Sequence, residues 1–150
     1  MSAKQTVRDR PPRVLVVEDN PAIAKMLRFS LRAAGFDVAA VTAGAEALNI
    51  LKEQGATDAV VLDIGLPDGL GKAIIDRLRQ ANELDRPVWV VISALDRDEA
   101  AGRYGPLGSH FLGKPFDPWD LIRMLEELLS ERNGGLGHSP YIGRSANAVK

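Results

Sequence analysis

The sequence predicts an open, doubly wound α/β sheet of five parallel strands with helices on both faces, and three observations lead there. Short valine-rich apolar runs alternate five times with longer segments of helical period, the pattern of a parallel sheet covered on both sides. The runs end in a narrow set of polar residues: Val14 to Val17 in Glu18-Asp19, Ala59 to Leu62 in Asp63, Val88 to Ile92 in Ser93-Ala94, and Phe111-Leu112 shortly before Lys114-Pro115. Finally, 150 residues with 45% apolar and 26% charged side chains suffice for one buried core and are short for two.

Taken in order, the strands are expected near 13–18, 37–41, 58–62, 87–92 and 109–113. Helices are expected near 21–34, 44–54, 70–82, 97–104 and 118–131. In the first helix Asn20 can cap, Pro21 suits the first helical position, and Ile23, Met26, Leu27, Leu31 and Ala34 form one stripe before Gly35 stops it. The last helix has Asp117 as cap, Pro118 after it, and Leu121, Ile122, Leu125, Leu128 and Leu129 on one side. Trp119 and Met124 widen that arc, which favours a deeper core contact over a partner surface. Between residues 96 and 108, Gly102, Gly105 and Pro106 interrupt the period and leave only Tyr104 and Leu107 as sizeable anchors, so the fourth helix should be short and weak. Residues 1–12 read as a flexible polar start, 13–131 as the single domain, and 132–150, rich in glycine, as a flexible tail or linker.

Composition removes several function classes. A net charge of -1 without a Lys/Arg-rich stretch gives no footprint for direct nucleic-acid contact or for an anionic membrane. The chain has no cysteine and only two histidines, His110 and His138, which argues against a zinc site. No signal-peptide core and no apolar run of spanning length is present, and a cytoplasmic setting is expected.

With right-handed crossovers and strand order 2-1-3-4-5, all four polar strand ends lie on the carboxyl edge of the sheet, where such folds place ligands. Glu18, Asp19 and Asp63 then converge. Three neighbouring carboxylates must either take up protons or hold a cation, and an all-oxygen donor set favours magnesium over zinc. A carboxylate can attack a phosphoryl group, whose spread negative charge then needs neutralising in place. Magnesium on one phosphoryl oxygen, the Lys114 ammonium on a second, and the Ser93 hydroxyl with the Ala94 backbone N–H on a third would do so.

The motifs Val-Leu-Val-Val-Glu18-Asp19-Asn-Pro, Val-Leu-Asp63-Ile-Gly-Leu-Pro-Asp-Gly, Ser93-Ala94 and Phe111-Leu-Gly-Lys114-Pro115-Phe, in this order, resemble the receiver domain of bacterial two-component response regulators. The likeness covers about residues 13–131 and implies a flavodoxin-like fold. It further implies phosphoryl transfer to Asp63 from a histidine kinase or a phosphotransfer protein, and a downstream protein target, with homodimerisation open. Glu18 and Asp19 would position Mg2+ with the Gly65 carbonyl as a further ligand, Ser93 and Lys114 would hold the phosphate, and Phe111 matches the aromatic switch position. Gly65 and Leu95 stand at places that commonly tune hydrolysis of the acyl phosphate. The resemblance implies a signalling domain, not an enzyme acting on other substrates, and phosphorylation would order or displace segment 96–108.

Other classes fit less well. Gly71-Lys72 suggests a phosphate-binding loop, but Leu66 stands where its first glycine belongs and Ala73 replaces the required Ser/Thr. An FMN carrier shares the fold, yet Glu18-Asp19 would repel a phosphate where that carrier needs a donor-rich loop. A phosphorylation-independent adaptor on the same fold remains the alternative.

Overall fold

The computed structural model describes residues 10–54, 57–64, 71–80, 87–104 and 110–132. The strands are β1 (Arg13–Val17), β2 (Asp37–Val41), β3 (Ala59–Asp63), β4 (Val88–Ser93) and β5 (Phe111–Gly113). The helices are α1 (Pro21–Ala33), α2 (Gly44–Gln54), α3 (Gly71–Gln80), α4 (Arg97–Tyr104) and α5 (Pro118–Arg132). All neighbouring strands pair in parallel, in the order β2-β1-β3-β4-β5. This is the predicted doubly wound architecture.

Alternation along each strand divides the core into two layers. Val14, Val16, Val61, Val90 and Ile92 face one side and meet Leu27 and Leu31 of α1 and Leu121, Leu125 and Leu129 of α5. Leu15, Val17, Val60, Leu62 and Val91 face the other and meet Ala47 of α2, Ile74 and Ile75 of α3 and Ala100 of α4. Strands buried on both faces explain why the runs read as near-continuous valine and leucine.

The helix ends follow local chemistry. Asn20 Oδ1 accepts from the N–H groups of Ala22 and Ile23, at 2.9 and 3.3 Å, ahead of Pro21 at the first position. Gly35 takes φ 103° just beyond α1, a conformation that a β-carbon would oppose. Asp117 Oδ1 accepts from the Trp119 N–H at 2.9 Å and caps α5. The Lys114–Pro115 bond is cis.

Two packing expectations need correction. Met26, expected in the α1 stripe, is exposed, as is Ala34, while Ala24, Leu27 and Leu31 carry the burial. Trp119, expected to reach the core, is 61% exposed, whereas Met124 does pack against it. Trp119 sits in the first turn of α5, where the helix has only begun to meet the sheet, so period alone overstated its depth. The helix expected to be short spans eight residues. Residues 105–109 of the interrupted stretch, the start of the chain to residue 9 and the tail from 133 to 150 lie outside the described residues.

Candidate functional site

Each site residue sits where a strand runs out. Asp63 is the last residue of β3, directly beside Ile92 of β4. Ser93 ends β4, Glu18 follows β1, and Lys114 follows β5. Because β1 and β3 are neighbours, the carboxylates of Glu18, Asp19 and Asp63 converge, with one oxygen of each within 4.8 Å of the others. At an effective dielectric near 20, each pair of ionised carboxylates at that range costs about 3 kcal/mol or more.

The cluster is not solvated away. Glu18 is 0% exposed and Asp63 4%, the two buried acids among the described residues. The ammonium that meets them belongs to Lys114. Its Nζ donates to Asp63 Oδ2 at 2.9 Å and to Glu18 Oε2 at 3.4 Å, and lies 3.3 Å from Glu18 Oε1 without hydrogen-bond geometry. The backbone N–H of Asn20 also donates to Glu18 Oε2, at 3.2 Å. Glu18 Oε1 is therefore buried with no hydrogen-bond donor, an acceptor whose remaining capacity a cation could take up.

Titration behaviour follows from this crowding. Burial pushes the Glu18 carboxyl up to about 7; the Asn20 N–H opposes the rise, the charge of Asp63 adds to it, Lys114 opposes it, and a hydrogen bond with Asp19 adds to it. Burial acts against the Lys114 ammonium, but the hydrogen bond and charge of Asp63, with Glu18, outweigh it and raise its pKa. One cation among three acids favours proton retention on Glu18 unless a second cation arrives. Carboxylate oxygens with no histidine or cysteine are a donor set suited to a hard divalent cation.

The remaining predicted residues line the same edge. Ser93 is buried, and its Oγ accepts from the Leu95 N–H at 2.9 Å, while its carbonyl accepts from the Lys114 N–H at 2.7 Å. The second bond locks β4 to the turn carrying Lys114. Ala94 is exposed, so its side chain leaves the edge open. Phe111 is half-buried on β5, and the Arg97 guanidinium lies over its ring at 5.2 Å from the centroid. Gly65, expected to offer its carbonyl, lies outside the described residues.

Sequence reasoning missed two contributors. Gly71 opens α3 against the backbone of Ile64, where a β-carbon would stand 3.0 Å from the Ile64 Cα. Glycine is what permits α3 to start this close behind Asp63. Its place at the end of a glycine-containing stretch of sequence, ahead of an amphipathic segment, was the available signal. Arg97 joins α4 to Phe111 through a contact between separate elements, which no local pattern announces.

Comparison with known proteins agrees with the geometry. The family model described as the response regulator receiver domain matches residues 14–126. The chain is 36% identical over 121 residues to the transcriptional regulatory protein PrrA of Mycobacterium tuberculosis, covering 81% of this chain and 51% of that one. It is 32% identical over 119 residues to the phosphate regulon transcriptional regulatory protein PhoB of Rhizobium meliloti, covering 79% and 52%. The chain thus spans about half the length of these curated relatives. Among solved structures, the receiver domain of a Francisella response regulator, 1452, superposes with a TM-score of 0.68 at 29% identity, over 81% of this chain and 98% of that one. A CheY-like receiver domain protein from Methanospirillum hungatei shares the fold at TM-score 0.70 and 21% identity, over 83% and 98%. On its sequence and its fold alike, the chain belongs to the receiver domains of two-component response regulators.

Proposed function

We propose that Asp63 accepts a phosphoryl group from a histidine kinase or a phosphotransfer protein, with Mg2+ at Glu18, Asp19 and Asp63, and that the change alters the contacts this domain makes with a downstream target. The observation that carries this reading is a buried carboxylate held 2.9 Å from a lysine ammonium, beside two further carboxylates and a buried serine at the carboxyl edge of one sheet.

In the step proposed, a carboxylate oxygen of Asp63 attacks phosphorus, the bond to the donor's leaving group breaks with its electron pair, and an acyl phosphate remains on Asp63. Lys114 orients Asp63 beforehand and stays to meet a phosphoryl oxygen, so little reorganisation is needed. Glu18, Asp19 and Asp63 would hold magnesium, which when bound would supply charge neutralisation for the transferred group. Ser93 already lends its oxygen to the Leu95 N–H and keeps its own hydrogen to donate, and together with the Ala94 N–H it forms the third arm of the clamp. Phe111, under Arg97, is the side chain through which movement of Ser93 would reach the α4–β5 surface.

The relatives are named as transcriptional regulatory proteins, so the output proposed here is transcriptional. The expectation that nucleic acid is no partner is accordingly restricted to the receiver itself. No helix among the described residues is long and apolar enough to cross a membrane, and the proposed setting is cytoplasmic.

Incubation with acetyl phosphate and Mg2+, followed by intact mass, tests the reading. The native chain should gain one phosphoryl group and Asp63→Asn none. No gain in the native chain, with acetyl phosphate and with a kinase, would favour the phosphorylation-independent adaptor.

A further inference from the structure

The three large apolar side chains left exposed among the described residues lie on α1 and on the first turn of α5, two helices that cover the same face of the sheet. Phe29 and Met26 belong to α1, and Trp119 to α5; Phe29 is 76% exposed and Trp119 61%. Between the two helices runs an open groove of about 560 Å³, lined chiefly by Phe29, Ala33, Trp119 and Ile122, with Asp117 and Glu126 as its charged members. Two exposed aromatic rings beside one cavity mark an interaction surface.

Charge says what covers it. α1 carries Lys25, Arg28 and Arg32, all exposed, and no acid. From Asp117 to Arg132, its cap to its end, the α5 segment carries five acids against two arginines, and Arg123 is already paired with Asp120. The two walls of the groove therefore bear opposite charge, and the surface complements itself. In a two-fold contact with its axis along the groove, α1 of each copy lies on α5 of the other, cation against acid, and Phe29 meets Trp119 of the other copy. Turning the axis across the helices would set α1 on α1 and α5 on α5, cations against cations and acids against acids, which like-charge repulsion disfavours.

We infer that the α1–α5 face is a homodimer interface, with α1 of each copy on α5 of the other and the Phe29 and Trp119 rings packed together across the two-fold axis. α4 packs on the opposite face of the sheet, so the contact does not use α4 and does not rest on phosphorylation of Asp63.

Sedimentation equilibrium of the full chain at low ionic strength, from about 5 to about 500 μM, tests this. The native chain should pass from monomer to dimer within that range. Phe29→Ser removes a ring from both copies and should raise the dissociation constant roughly tenfold or more, while circular dichroism stays native. Lys25→Glu sets an acid against acids and should raise it about threefold or more, with the difference shrinking in high salt. Asp58→Asn, at the amino-terminal edge of the sheet, should leave it unchanged. Because the chain has no cysteine, pairing can be read directly: a mixture of the Phe29→Cys and Trp119→Cys chains should oxidise mainly to the mixed disulfide dimer. A native chain that stays monomeric at the top of the range assigns the face to a different partner and overturns the inference. Dimerisation that Phe29→Ser and Lys25→Glu leave unchanged overturns it as well, and so does a mixture in which each cysteine chain pairs only with its own kind.

Discussion

At the amino-terminal edge of the sheet Asp58 meets Arg10 at 3.0 Å and accepts the Arg13 N–H at 2.8 Å, Arg13 lies 3.7 Å from Asp37, and Arg132 donates to the Asp58 carbonyl. Each acid here has an arginine partner, and the pairs are at least partly exposed. At the carboxyl edge three acids share one ammonium, and two of the acids are buried. The same strands connect the two edges, so fold stability alone does not require the second arrangement. Balanced, solvated pairs contribute on the order of 0–1 kcal/mol each, whereas buried excess charge costs several and persists where a ligand repays it.

The largest break in the comparison should come from Lys114→Ala, which leaves Asp63 and Glu18 with no ammonium. Phosphoryl uptake from acetyl phosphate should slow about 100-fold, as when one preorganised charge donor is removed, measured by intact mass over time. A rate within twofold of native would place the anion elsewhere.

Next in size is the pH dependence of Glu18. The folded protein holds a proton on Glu18 up to about pH 7, while in the unfolded chain the group titrates near its ordinary 4.5. Folding therefore binds a proton between those values, and stability from this source is full below about pH 4.5 and falls as pH rises through 7. Without metal at pH 8, Glu18→Gln should be the more stable protein by about 2–3 kcal/mol, or roughly 5–10 °C in Tm, with the gap closing toward pH 5. A gap that widens on acidification would contradict the burial argument.

Smaller again is Arg97→Ala, which uncovers the Phe111 ring at a partly exposed site and should cost about 0.5–1 kcal/mol, read by urea denaturation, with phosphoryl uptake retained. The smallest effect belongs to the opposite edge. Asp58→Asn keeps an oxygen for the Arg13 N–H and loses only the exposed pair with Arg10, so Tm should fall by no more than about 2–4 °C. Uptake should be unchanged, and a slowed rate in Asp58→Asn would dissolve the distinction between the edges.

Most of the carboxyl edge was legible because each member interrupts an apolar run. Val14 to Val17 and Ala59 to Leu62 declare buried strands, and a carboxylate directly after such a run has few places to go but the sheet edge. Neighbouring placement of β1 and β3 then brings Glu18 and Asp63 together without further information. The amino-terminal edge gave no such signal, since Arg10, Asp37 and Asp58 look like ordinary solvated residues in sequence. Side-chain direction was the harder part. Helical period placed Met26 and Trp119 near an apolar arc but could not say where the sheet stops covering it. The Ser93 bond to the Leu95 N–H, the Arg97 cover on Phe111 and the approach of Gly71 to Ile64 are set by local backbone and by contacts across elements, which composition and spacing do not encode.

The most direct measurement is thermal unfolding at pH 8, where Glu18 is ionised, across a Mg2+ titration of the native chain, Asp58→Asn and Asp19→Asn. A cation bound to the folded state alone at about 100 times its Kd adds about 3 kcal/mol, or roughly 5–10 °C. The native chain and Asp58→Asn should rise together by that amount while Asp19→Asn stays nearly flat. A native Tm indifferent to Mg2+, or an Asp19→Asn response equal to native, would contradict a metal site at the three carboxylates.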